Sequence, residues 1–200
     1  LVCASVASAA PADLSSTESR YAKLDAYRVH YKSIGSGAEA VVLVHGWASD
    51  MNFWREQVRA FASRGRIIAI DLPGHGGSDK PEIAYTQDLF ARAIDAVLRD
   101  AGVERAVIVG HSMGAVAARQ FCRVAPKKVK GIVAVDGALW MPVENAPAVI
   151  AMAMPLKTPE YRQTAERFVG GFMAGKLPEA DQEAIRATVT AMSNRGPVIP

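Results

Sequence analysis

The sequence predicts an α/β fold, a mostly parallel sheet with helices on both faces, and two observations carry that prediction. Four short, continuous apolar runs, "AVVLV" (40–44), "RIIAI" (66–70), "RAVIV" (105–109) and "GIVAV" (131–135), read as strands buried on both faces. Between them lie segments of helical period, so the chain alternates strand and helix, which requires right-handed crossovers in one parallel sheet.

Before the first run, Lys23 to Ile34 ("KLDAYRVHYKSI") alternates partially, is rich in aromatic and β-branched residues, and ends at "GSG". It predicts an early antiparallel strand or hairpin. Asn52 to Arg64 and Ser112 to Val124 are expected to be helical. The clearest helix runs from Thr86 to Asp100. Leu89, Phe90, Ala93, Ile94, Val97 and Leu98 share one face and Asp88, Arg92, Asp95 and Arg99 the other, with Thr86 as cap and Gly102 near the end.

After Asp136 the alternation stops. Helix-compatible segments at about 145–154, 159–174 and 179–193 suggest a helical cap insertion over the sheet. Five of the seven methionines fall there, Met141, Met152, Met154, Met173 and Met192. Flexible thioethers suit an adaptable apolar pocket, although such spacings also serve helix packing. The expected organisation is a signal remnant and flexible N-terminus over 1–20, a core over 21–137 and the cap over 138–200.

Of the chain's 200 residues half are apolar, enough for one domain with a sizeable core. A formal charge of +3, from 23 basic and 20 acidic residues without long runs of one sign, leaves no electrostatic footprint for nucleic acid. The two cysteines, Cys3 and Cys122, have no Cys or His neighbours at metal-ligand spacing, so neither a metal, a cofactor nor a disulfide is expected. Cys122 reads as a small buried apolar residue. The opening "LVCASVASAAPADLSS" carries the small-x-small pattern Ala7-Ser8-Ala9 of a secretory cleavage site, which predicts export. No segment approaches the ~18 consecutive apolar residues of a membrane span.

Gly110-His111-Ser112-Met113-Gly114 fits G-x-S-x-G and stands between a buried-strand run and a helix. That is the context of a nucleophile elbow, a tight turn that lifts a serine Oγ above the sheet and needs glycines where side chains would collide with backbone. It also sets the Met113 N–H at a helix N-terminus, where it can face an oxyanion. The plain alternative is that Ser112 merely caps a helix.

With "VVLVHGWASD" (41–50), "IAIDLPGHGGSD" (68–79) and "VGHSMGAVAA" (109–118) in this order, residues 23–137 resemble the α/β-hydrolase superfamily in its capped, lipase- and esterase-like branch. The resemblance implies Ser112 as nucleophile and the N–H groups of Met113 and Trp47 as the oxyanion hole. It also implies an apolar, ester-like small-molecule substrate, with Gly46, His111 and Met141 on the binding surface. Ala115 stands where many relatives have a third glycine. A serine at 112 disfavours relatives with an Asp nucleophile, such as haloalkane dehalogenases and epoxide hydrolases, whose chemistry needs a carboxylate there.

A serine hydroxyl needs an adjacent base, and the fold's order is Ser, then Asp or Glu, then His. No histidine follows His111. His111 diverges from its neighbour Ser112; His45 is expected to hold the oxyanion loop, His75 to stabilise the Gly-rich loop, and His30, in the early strand, to be a surface or sheet-face residue far from the chemistry. Asp136, at the end of the fourth run, is the candidate acid, and Asp71 is expected to form a turn. An apolar edge strand left at 131–135 is a liability, so the chain is expected to stop short of the last strands and of the base. Three classes of function stay open: a serine hydrolase of esters or, on the same elbow, a C–C bond hydrolase, peptidase, acyltransferase or lyase; a binding module without the base; and an interaction protein, for which a strained elbow has no use.

Overall fold

The computed structural model describes residues 13–137 and separate residues between 139 and 187. The described strands are β1 (Arg20–Leu24), β2 (Tyr27–Ile34), β3 (Glu39–Val44), β4 (Ile67–Ile70), β5 (Arg105–His111) and β6 (Val129–Val135). The helices are α1 (Arg55–Phe61), α2 (Gln87–Asp100) and α3 (Met113–Val124). They form one sheet in the order β1-β2-β4-β3-β5-β6. β4, β3, β5 and β6 are parallel, while β1 and β2 form an antiparallel hairpin that joins the sheet through β4. The four apolar runs are the four parallel strands.

The continuous apolar character of those strands has a direct cause. Successive side chains point to opposite faces, and both faces are covered. Val42, Val44, Ile68, Ile70 and Ile108 pack with Phe90, Ile94 and Phe121 beneath α2 and α3. Leu43, Ile67 and Ala69 pack with Met51, Trp54 and Val58 on the α1 side. β6 is the edge strand among the described residues, with Val133 and Val135 exposed.

The helix from Thr86 forms as its pattern requires, with the Thr86 hydroxyl accepting the Leu89 N–H at 3.1 Å. The stretch 52–64 departs from a single helix: α1 is flanked by 3₁₀ turns at Met51–Trp54 and Ala62–Arg64. Asp50 caps the first turn through Asn52 N–H, and Gly65 ends the last. Helix α3 starts at Met113, leaving Ser112 outside it.

The lead into the sheet, expected to be flexible over 1–20, is anchored from Asp13 onward. Leu14 inserts into the α1-side core at 1 % exposure. Lys32 Nζ donates to its carbonyl at 2.6 Å, and Asp13 pairs with Arg59. Composition did not reveal this because one leucine in a polar, Ser-rich segment has no periodicity. The cap helices expected at about 145–154, 159–174 and 179–193 fall mostly outside the described residues, and Met141, Met152, Met154, Met173 and Met192 lie entirely outside them.

Truncating a fully buried leucine costs roughly 2–5 kcal/mol. Leu14→Ala is therefore expected to lower the urea unfolding free energy by about that amount, whereas Val124→Ala, at an exposed site, shifts it by less than about 0.5 kcal/mol.

Candidate active site

The C-terminal ends of β3, β4, β5 and β6 meet at one edge of the sheet, and the loops leaving them build the site. Between β5 and α3, Ser112 adopts φ +50° and ψ −116°, a conformation that L-residues rarely hold, and its side chain is exposed. The turn is held from three sides. Ser112 N–H donates to Val135 O at 3.1 Å, which extends the β5–β6 ladder by one residue. Ser112 O accepts from Ala115 N–H at 3.0 Å. The glycines allow main chain to touch main chain: a Cβ at Gly114 would sit 2.4 Å from Val44 O, and one at Gly110 would sit 2.3 Å from Gly114 O. Ala115, in place of a third glycine, is fully buried without obstructing this contact.

The loop after β3 abuts the serine. A Cβ at Gly46 would lie 3.2 Å from Ser112 Cβ and 2.7 Å from His111 Nδ1. Trp47 follows Gly46 on this loop, so the structure brings Gly46, Trp47, His111, Ser112 and Met113 together. Met113 N–H is the first of α3 and has no carbonyl a turn behind it to bond. Asp136 follows β6 directly at φ +44° and is exposed. It borders the elbow, since a Cβ on the next residue, Gly137, would lie 2.9 Å from Ser112 O.

Beneath these loops lies a buried polar layer that composition did not disclose. Asp71, just past β4 and 2 % exposed, accepts from His30 Nδ1 at 2.7 Å, Gly77 N–H at 2.8 Å and Met51 N–H at 2.8 Å. Burial by itself raises this carboxyl, but the His30 bond and the two backbone donors outweigh it and hold Asp71 below the usual carboxylate value. Asp71 is thus a hub joining three segments, more than the local turn former expected. Of the two places expected for His30, the structure gives the sheet face and not the surface: it is 9 % exposed, stacked on Tyr21, and tied to Asp71. Its burial has a simple origin, because the loop 71–79 covers the face of β2 that carries His30. That loop is laced to β2 by Asp79 N–H to Arg28 O at 3.0 Å and by His30 N–H to Ser78 Oγ at 2.8 Å.

His45 is fully buried. Its Nε2 accepts the Leu72 N–H at 2.9 Å, so Nδ1 carries the proton and donates to Gly46 O at 2.7 Å. His75 faces His45 with ring centroids 5.0 Å apart, and its Nδ1 meets Pro73 O at 3.1 Å. Both play the loop-holding parts their motifs suggest. Burial lowers the pKa of both, His75 to about 3. All four imidazoles lie among the described residues, and none hydrogen-bonds Ser112 Oγ or Asp136.

The sequence pattern of the alpha/beta hydrolase fold matches residues 39–196. The chain belongs to the alpha/beta hydrolase fold family. It is 40% identical over 129 residues to a 2-hydroxy-6-oxononadienedioate/2-hydroxy-6-oxononatrienedioate hydrolase of Paraburkholderia phymatum, covering 60% of this chain and 43% of that protein. It is 34% identical over 117 residues to the dihydrolipoyllysine-residue acetyltransferase component of the acetoin cleaving system of Cupriavidus necator, covering 58% and 31% of the two chains. The chain thus spans less than half the length of these relatives. Among solved structures, the esterase RhEst1 from Rhodococcus sp. ECU1013 superposes with a TM-score of 0.67 at 28% identity, over 88% of this chain and 70% of that one. Among the described residues no helix is long and apolar enough to cross a membrane, and no group of three His, Cys, Asp or Glu could hold a metal.

The buried histidines set a pH dependence. The folded pKa of His75 lies below the ordinary 6.5, so between about pH 6.5 and 3 the unfolded chain binds a proton that the folded one does not. Stability is fully present above pH 6.5 and falls as pH drops through that window, with a slope approaching ~1.4 kcal/mol per unit for each such imidazole. Urea unfolding at pH 7, 5.5 and 4.5 measures it; His75→Gln is expected to flatten the slope.

Proposed function

We propose that Ser112 is the nucleophile of a hydrolase acting on carboxylic esters. The observation that carries the reading is the strained, exposed Ser112 at the sheet's C-terminal edge, facing the Gly46–Trp47 loop. In this reading Ser112 Oγ attacks the ester carbonyl while a base takes its proton. Charge on the carbonyl oxygen is met by the N–H groups of Met113 and Trp47, the alcohol leaves with a proton, and water then releases the acid from the acyl-enzyme. Two amide donors suffice for such an oxyanion, and each contributes about 10²–10³ in rate. Asp136, beside the elbow, is the candidate acid, and because none of the four imidazoles hydrogen-bonds Ser112 Oγ or Asp136, the base role is assigned outside residues 13–137. A hydroxyl at 112 disfavours chemistry that requires a carboxylate nucleophile. The likeness to the esterase RhEst1 supports the ester reading.

The 40% identity to the hydrolase from Paraburkholderia phymatum favours a second reading, cleavage of a C–C bond beside a ketone on the same elbow. The first step is the same attack on a carbonyl, but the leaving carbon must be protonated. A substrate panel separates the two: p-nitrophenyl esters of short and long acids against ring-cleavage diketones.

In the full-length protein a fluorophosphonate is expected to label Ser112, and Ser112→Ala is expected to lower kcat by about 10⁴–10⁶-fold with little change in thermal stability. Absence of labelling, or retained turnover in Ser112→Ala, removes the assignment.

A further inference from the structure

The Gly46 carbonyl is gripped twice. His45 Nδ1–H donates to it at 2.7 Å, and Ser49 Oγ–H donates to it at 2.8 Å. Both side chains are buried, His45 at 0 % and Ser49 at 4 % exposure, so both bonds form away from bulk water. The imidazole is locked in the tautomer that can donate, because its Nε2 is occupied as acceptor of the Leu72 N–H.

That grip has a geometric effect one atom further on. The C=O of Gly46 and the N–H of Trp47 belong to a single planar trans peptide and point in opposite directions. Fixing the oxygen toward the buried His45 and Ser49 aims the Trp47 N–H away from that buried pair, on the loop whose Gly46 abuts Ser112. The loop would not hold this pose unaided. Ala48 sits at φ +56°, in the left-handed region that costs a residue with a Cβ about 1–2 kcal/mol. The Ser49 bond closes the turn across Ala48, and Asp71 fixes the far end through Met51 N–H.

Building on the reading of Ser112 as nucleophile, we infer that Ser49 and His45 are positioning residues for the oxyanion hole, acting through the Gly46 carbonyl to orient the Trp47 N–H. Neither side chain touches substrate. Their effect belongs to the transition state, where negative charge forms on the oxygen, and little of it to substrate binding.

The test compares variants of the full-length protein in two assays: turnover of p-nitrophenyl butyrate and the rate of Ser112 labelling by a fluorophosphonate, whose phosphoryl oxygen needs the same donors. Ser49→Ala is expected to lower kcat and the labelling rate together by about 10- to 100-fold, a misaimed donor costing up to what a deleted one does, with KM changing by less than about twofold. The two His45 replacements divide its bonds. Asn places an amide N–H near the Nδ1 position and keeps the grip on Gly46, whereas Gln places an acceptor near Nε2 and loses it. His45→Asn is therefore expected to retain at least tenfold more kcat than His45→Gln. If the His45 variants fail to give a cooperative melt, Ser49→Ala decides alone. Unchanged kcat and labelling in Ser49→Ala, or a loss carried by KM, overturns the positioning role while leaving Ser112 as nucleophile. A parent protein that is not labelled at Ser112 overturns the reading beneath it.

Discussion

The geometry of this molecule's candidate site depends on how closely the first turn of α3 can approach the end of β3. The contact is main chain on main chain, Gly114 against the carbonyls of Val44 and His45, with Gly110 under the same turn. A single methyl at either glycine would overlap backbone oxygen, which cannot rotate aside as a side chain could. The close approach brings the Gly46–Trp47 loop beside Ser112 and leaves the serine little choice but φ +50°. Such a conformation costs on the order of 1–3 kcal/mol and persists only where the surroundings over-determine it. Here the surroundings are the Ser112–Val135 bond, the Ala115 bond to Ser112 O, and a parallel sheet packed on both faces.

The loops above the sheet pose a different problem. Main chain that leaves a strand and stays buried has N–H and C=O groups that must find partners. Between residues 45 and 79 main chain supplies some of those partners, and side chains supply many of the rest: Asp71 for Met51 and Gly77, His45 for Gly46 and Leu72, Ser49 for Gly46, and Ser78 for Asp71 and for His30 on β2. One carboxylate with three donors ties together the loop after β3, the loop after β4 and the middle of β2. A solvated loop would satisfy the same groups with water and would place the Gly46–Trp47 peptide far less sharply.

The parallel core was legible because it follows from pattern. Burial on both faces writes an uninterrupted apolar run, and the amphipathic period of α2 shows in Leu89 to Leu98 as plainly as its Thr86 cap. The elbow was legible for a similar reason, since a steric requirement for glycine on either side of Ser112 leaves a local signature. The buried polar layer was not, because its pairs are far apart in sequence. His30 and Asp71 are 41 residues apart and Met51 and Asp71 20 apart, and an isolated His on a strand carries no local mark of the loop that will cover it. Leu14 escaped notice likewise, as did the 3₁₀ turns around α1, which satisfy the same period as a helix over so few residues. Ser49 left one clue: a small hydroxyl three residues beyond Gly46 can reach back to its carbonyl.

The balance between these parts argues for what the polar layer is for. His30 and His75 each leave Nε2 buried without a hydrogen-bond partner, and an unsatisfied buried polar group costs roughly 1–3 kcal/mol. An apolar side chain of similar size would avoid that cost at either position if filling space were the only requirement. What an apolar replacement cannot do is donate to Asp71 from β2 or to Pro73 O from within the loop 71–79. Without those bonds the loop 71–79 would lose its hold on the sheet, and the Asp71 carboxylate, left with two backbone donors, would rise toward protonation. Met51 N–H would then have a weaker acceptor, and the loop that carries Trp47 would be fixed at one end only. The molecule accepts local imperfection in the layer beneath because the layer above tolerates so little displacement.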